Sequence, residues 1–88
     1  MASYKILIKP SAVKELEAIP EKDRQRIVYR IQGLAENPRP RGCEKLSDQD
    51  KYRLRQGKYR ILYQVYDDEV IVLVVRVGKR GEIYKRKE

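Results

Sequence analysis

The stretch Lys51–Tyr63, KYRLRQGKYRILY, constrains this chain more than any other. It reads as two short strands joined at Gln56-Gly57, with Arg55 facing Lys58, Leu54 facing Tyr59 and Arg53 facing Arg60. Side chains alternate between the faces of a strand. One face is therefore apolar, made by Tyr52, Leu54, Tyr59 and Ile61. The other carries Arg53, Arg55, Lys58 and Arg60, with cations directly opposite cations. Like charges in opposed positions destabilise a sheet, so this face is expected to bind a polyanion.

The rest of the chain supplies a frame for that hairpin. Tyr4 to Lys9 alternates Tyr/Ile/Ile with Lys/Leu/Lys, a strand that Pro10 ends. Ser11 is placed to cap a helix running to about Ile19, with Val13 and Leu16 turned inward. Pro20 and Glu21 suit the first turn of a second helix. Its apolar stripe is Ile27, Val28, Ile31, Leu34 and Ala35, and Asn37-Pro38 stops it. A loop follows to Asp50. After the hairpin, Asp67-Asp68 marks a turn. Val70–Val77, apolar on both faces except at Arg76, predicts a central strand. The expected fold is α+β, one domain over 1–88. It has a small antiparallel sheet, made of the N-terminal strand plus a three-strand C-terminal meander, with two helices packed on one face.

Composition narrows the function. A chain of 88 residues supports one small core. A net charge of +8 favours an anionic partner, nucleic acid or an acidic protein. No apolar run approaches the roughly 20 residues that span a bilayer, so no membrane role is expected. The start, MASYKILIKP, is too short and too charged for a signal peptide. The single cysteine, Cys43, has no partner for an internal disulfide. Together these predict a cytoplasmic protein. The absence of histidine argues against a zinc site and against a histidine general base. No metal or cofactor is expected. A second cationic group, Gly78-Lys79-Arg80-Gly81 followed by Tyr84, closes the chain. If the last two strands pair, Arg80 and Tyr84 meet Arg53, Arg55 and Arg60 around one shallow basin. Guanidinium forks there suit a phosphate. The phenol suits base stacking or proton transfer.

KLSDQDKYRLRQGKYRILYQV followed by VIVLVVRVGKRGEIY resembles the RelE family of bacterial toxins, within the RelE/ParE superfamily. The resemblance runs over nearly the whole chain. Its specific parts are the YR-x-R-x-G-x-YR-x-x-Y core and the closing V-G-K-R…Y. It implies a ribosome-dependent endoribonuclease that cuts the messenger RNA codon in the ribosomal A site. It also implies a RelB-like antitoxin that wraps and inhibits the toxin, and operator DNA binding only through the toxin–antitoxin complex. Matched by motif position, Arg53 and Arg55 stand where the family has two lysines, Arg60 matches the arginine of the G-x-YR step, and Arg80 and Tyr84 match the closing arginine and tyrosine. Lys51, Lys58 and Lys79 complete the expected RNA-binding set. Lysine replaced by arginine keeps charge but not proton chemistry, because arginine stays protonated at neutral pH. The chain also stops four residues after Tyr84, where some RelE proteins continue into a helix.

On this reading Tyr84 is the general base, its phenol pKa lowered by surrounding arginines. Arg53, Arg55 and Arg60 hold the phosphate, and Arg80 stands near the leaving oxygen. The alternatives are a ParE-like inhibitor of DNA gyrase that cuts nothing, and a non-catalytic RNA-binding module. The cationic face makes a direct prediction. Binding to ribosomes or RNA is expected to weaken steeply with salt, with a log–log slope of about −0.7 per phosphate contact on single strands. A flat salt response in a filter-binding titration would exclude the cationic hairpin as the binding surface.

Overall fold

The structure, a computed structural model, describes residues 3–46 and 50–79. The elements are β1 (Lys5–Ile8), α1 (Pro10–Glu17), α2 (Glu21–Gly33), β2 (Glu44–Lys45), β3 (Lys51–Gln56), β4 (Tyr59–Tyr66) and β5 (Ile71–Lys79). The strands form one sheet in the order β1-β5-β4-β3-β2. The C-terminal meander is as expected, and β5 has a neighbour on each side. Two features differ from the expected antiparallel sheet. β1 runs parallel to β5, Ile6 beside Val72 and Ile8 beside Val74. The two helices carry the chain from β1 to the far edge of the sheet, and β2, β3 and β4 return it so that β5 lies beside β1, within the long connection that a parallel pair needs. A two-residue strand, β2, also extends the far edge beside β3.

Alternation sets the core. Tyr4, Ile6 and Ile8 pack against it, while Lys5, Leu7 and Lys9 are exposed. From the meander, Tyr52, Leu54, Tyr59, Ile61, Tyr63, Val65, Val72, Val74 and Val77 are buried. The phase of β5 changes within the strand. Leu62 pairs with Arg76 but Tyr63 pairs with Val74, so Val75 is an extra residue at a β-bulge. The bulge lets Val74 and Val77, three apart, reach the same core. An unbroken valine run gives no sign of it.

Both helices lie on this core face. α1 begins at Pro10, whose fixed φ suits the first helical position. Ser11 therefore falls inside the helix and caps nothing. The buried stripe also differs from the expected one. Ala12, Leu16 and Ile19 are buried, whereas Val13, expected inward, is 38% exposed. α2 follows Pro20, with Glu21 and Asp23 in its first turn opposing the helix dipole. Ile27, Ile31 and Leu34 recur at four and three residues and are buried.

The β4–β5 turn contains a conformation the sequence pattern hides. Val70, expected to open the strand, has φ 58° and belongs to the turn. A β-branched residue in the left-handed region is strained. Its backbone carbonyl accepts a hydrogen bond from Lys5 N at 2.9 Å, which continues the β1–β5 pairing. The same turn is fastened by Asp67, which sequence reading treats only as a turn residue. Asp67 accepts from Tyr4 Oη at 2.7 Å and from both terminal nitrogens of Arg39 at 3.3 and 2.7 Å. Arg39 Nε donates to Tyr52 Oη at 2.8 Å, and its guanidinium lies 5.2 Å from the Tyr52 ring centroid. Tyr52 stacks on Tyr63, whose hydroxyl donates to the Pro38 carbonyl at 2.8 Å. The long loop after α2 is thereby tied to the start of β1, to β3 and to the β4–β5 turn. Burial of Tyr63 pushes its phenol pKa up, and it stays neutral.

Hydrogen bonds from Arg39 and then Tyr4 lower the Asp67 carboxyl pKa. A depressed carboxyl pKa contributes stability above the ordinary carboxyl range and loses it as pH falls through the depressed value. Wild type is therefore expected to melt above Asp67→Asn near neutral pH, and the gap is expected to close in acid. Thermal melts of both proteins across that range check this; a gap that stays constant with pH would assign Asp67 no electrostatic role.

Candidate functional site

The face of the sheet turned away from the helices is built by the same alternation that builds the core. Lys51, Arg53 and Arg55 point there from β3, spaced about 7 Å apart as every second strand residue must be. Arg60 points there from β4. The hairpin turn is Gly57-Lys58 rather than Gln56-Gly57. Gly57 takes a positive φ of 62° at the first loop position, the glycine-first pattern that suits a two-residue hairpin. Arg55 therefore pairs with Arg60, Leu54 with Ile61 and Arg53 with Leu62. The expected pairing slips by two residues, and a slip of two keeps every side chain on its expected face.

That slip changes which cations oppose one another. Arg55 and Arg60 form the one directly opposed cation pair of the hairpin. Lys58 leaves the strand face for the turn, its Nζ lying 5.9 Å from the Tyr59 ring centroid. Arg53 has an acidic neighbour that the continuous hairpin sequence does not contain. Glu44 of β2 lies directly across from it and forms an ion pair with its guanidinium. Glu44 fixes the direction of Arg53, and only the pairing of β2 reveals it. Arg60 is only 7% exposed, and its Nη1 donates to the Tyr59 carbonyl at 3.2 Å. The face thus holds an exposed Arg55 over a buried Arg60, with Arg53 steered beside them. Planar guanidinium groups at neighbouring positions suit a phosphodiester, whose oxygens accept paired hydrogen bonds.

The end of β5 is positioned by α1. β1 stops pairing at Val74, and beyond it Glu15 takes over the edge. Its carboxylate accepts from Val77 N at 2.8 Å and from Arg76 Nε at 3.0 Å. Held this way, β5 continues to Gly78 beside Arg60 and Lys79 beside Tyr59. The closing strand therefore ends next to the arginine hairpin, as expected. Arg80 and Tyr84, the other two expected catalytic residues, lie outside the described residues. Lys79 and Lys58 line a cavity of about 400 Å³ between the α1–α2 turn and the ends of β4 and β5, together with Glu15, Ile19 and Tyr59. Lys51 stays on the sheet face, opposite Gln64. Cys43 is half-buried against the core. Among the described residues, no group of three or more cysteine and carboxylate side chains is arranged to hold a metal ion.

Comparison with known proteins places this geometry. The family described as ParE toxin of type II toxin-antitoxin system, parDE, matches residues 6–84. The mRNA interferase toxin RelE of Escherichia coli K12 is 34% identical over 77 residues, which cover 83% of this chain and 81% of that protein. The archaeal RelE–RelB complex from Pyrococcus horikoshii OT3 contains a chain that superposes with a TM-score of 0.79 at 26% identity, covering 91% of this chain and 98% of that one. The isolated Escherichia coli RelE toxin superposes with a TM-score of 0.79 at 29% identity, over 94% of this chain and 93% of its own. A family match across most of the sequence, joined to the same two-helix and sheet architecture, means that the chain belongs to the RelE/ParE superfamily of type II toxin–antitoxin toxins.

Proposed function

We propose that this protein is the toxin of a type II toxin–antitoxin pair and acts as an endoribonuclease on messenger RNA in the ribosomal A site. The observation that carries this reading is the grouping of Arg53, Arg55 and Arg60 on the open sheet face. A curated relative named mRNA interferase supports it. A RelB-like antitoxin is the proposed inhibitor, and solved RelE–RelB complexes of the same fold support that choice. Operator DNA is contacted only through the toxin–antitoxin complex. The cytoplasm is the proposed site of action. None of the described helices is long and apolar enough to cross a membrane.

The chemistry follows from the substrate. RNA carries its own nucleophile, the 2′-hydroxyl. Attack on the adjacent phosphorus forms the new P–O2′ bond and breaks the P–O5′ bond, leaving a 2′,3′-cyclic phosphate and a 5′-hydroxyl. One proton must leave O2′ and one must reach O5′. Tyr84 is the proposed acceptor of the first. Arg53, Arg55 and Arg60 neutralise the charge gathering on the phosphate oxygens. Arg80, next in sequence after the end of β5, acts beside the leaving oxygen. Phenol and guanidinium are poor proton carriers at neutral pH. Dependence on the ribosome is consistent with that weakness, because a ribosome that orients the RNA lowers the entropic part of the barrier.

Single-turnover cleavage of messenger RNA on programmed ribosomes tests the assignment. Arg80→Ala is expected to slow cleavage by roughly 10²-fold, the scale for losing one preorganised stabiliser, with little change in ribosome affinity. Tyr84→Phe keeps the ring and removes the hydroxyl, so the rate is expected to fall and its pH dependence to flatten. Wild-type rates in both variants, with unchanged melting, would refute the site. Intact messages alongside DNA damage signalling in cells making the protein would instead identify a gyrase inhibitor.

A further inference from the structure

A second surface, on α2, has features the cleavage site does not use. Tyr29 is 76% exposed, far more than any other large apolar side chain among the described residues. With Gln25, Arg26, Arg30 and Gln56 it lines a shallow depression of about 390 Å³. Helical spacing explains the grouping, since Gln25 and Arg26 sit four and three residues before Tyr29. Gln25 is steadied by Glu21, to which its Nε2 donates at 3.2 Å. Arg30 is incompletely satisfied. Its Nη2 reaches the Arg55 carbonyl at a long 3.4 Å, and its buried Nε has no hydrogen-bond partner.

Position and chemistry together select the occupant. Arg30 contacts the backbone of Arg55, and Gln56 at the tip of β3 forms one wall of the depression. The surface thus continues from the arginine face around the end of β3 to α2. None of the other exposed large apolar side chains, Leu7, Val13, Leu46 or Tyr66, lines it. A docked protein helix would need an aliphatic stripe. A single aromatic ring edged by arginines and amides instead matches an unpaired nucleotide, with the base stacked on the ring and the phosphate held by guanidinium.

We propose that Tyr29, Arg26 and Arg30 form a nucleotide-stacking site that holds an unpaired base of ribosomal RNA while the sheet face engages the message. The site rests on the reading of the protein as a ribosome-acting ribonuclease. It anchors the RNA partner and takes no part in bond breaking.

The test measures binding of the full-length protein to ribosomes programmed with a message carrying a 2′-deoxy codon, which blocks cleavage. Tyr29→Ala is expected to weaken binding about tenfold, within the range that base–aromatic stacking supplies. Tyr29→Phe, which keeps the ring, is expected to bind like wild type. Arg26→Ala is expected to reduce the salt slope by about 0.7, one phosphate contact. On a cleavable message, the Tyr29→Ala defect is expected in the protein concentration giving half-maximal rate, not in the rate at saturation. Wild-type affinity in both Tyr29→Ala and Arg26→Ala would overturn the inference. So would a Tyr29→Ala variant that loses only antitoxin binding, which would assign the surface to a protein partner. If wild type itself neither binds nor cuts on ribosomes, the proposed function fails first; if it does both and the α2 variants match it, only the stacking site fails.

Discussion

Strand β4 is the constraint on which the rest of this protein depends. It is the middle strand of the sheet and pairs antiparallel on both sides. Its odd-numbered residues, Tyr59, Ile61, Tyr63 and Val65, are buried beneath the helices, each at 5% exposure or less. Alternation then sends Arg60, Leu62 and Gln64 to the opposite face. Arg60 cannot be moved to the other side without turning four core residues out. A register slip of one residue would do that, at a cost far beyond the few kcal/mol of net stability a small domain has. The core thus holds the arginine-bearing face, the proposed cleavage face, in place.

The electrostatics of that face show a compromise. Arg55 opposite Arg60 is a like-charge pair in a position where an opposite-charge pair would stabilise the hairpin. Two residues along β3, Glu44 forms an ion pair with Arg53. Leaving the Arg55–Arg60 pair in place concentrates positive potential where a phosphate would arrive. At the other end of the sheet Asp67 neutralises Arg39, and near the end of β5 Glu15 partners Arg76. Those arginines are used to fasten loops and strand ends.

What the sequence made legible follows from periodicity. Alternation along Lys51–Tyr63 identified the buried and basic faces, even though the turn lies one residue later than expected. The stripe Ile27, Ile31 and Leu34 marked the buried side of α2. The features that escaped depend on partners far apart in the chain. Glu44 lies nine residues from Arg53, and Tyr4 lies 63 from Asp67. The parallel placement of β1 depends on the route of two helices. The bulge at Val75 is silent in a run where every residue is apolar. Val13 points outward because Ala12, Leu16 and Ile19, spaced four and three residues apart, form the stripe that packs on the core. Tyr29 drew no notice in sequence, since one tyrosine beside a helical stripe reads as ordinary; its exposure is what distinguishes it.

The central claim is that the cross-strand Arg55–Arg60 pair serves the proposed RNA binding, and one variant measures both its effect on stability and its effect on cleavage. Arg55→Glu changes an exposed side chain and converts the like-charge cross-strand pair into an opposite-charge one. Thermal melting and single-turnover cleavage on programmed ribosomes are measured on the same preparation. The account predicts a gain in stability of about 0.2–1 kcal/mol together with a cleavage rate lowered by at least tenfold. A variant that cuts at the wild-type rate would contradict it, and so would one that melts below wild type.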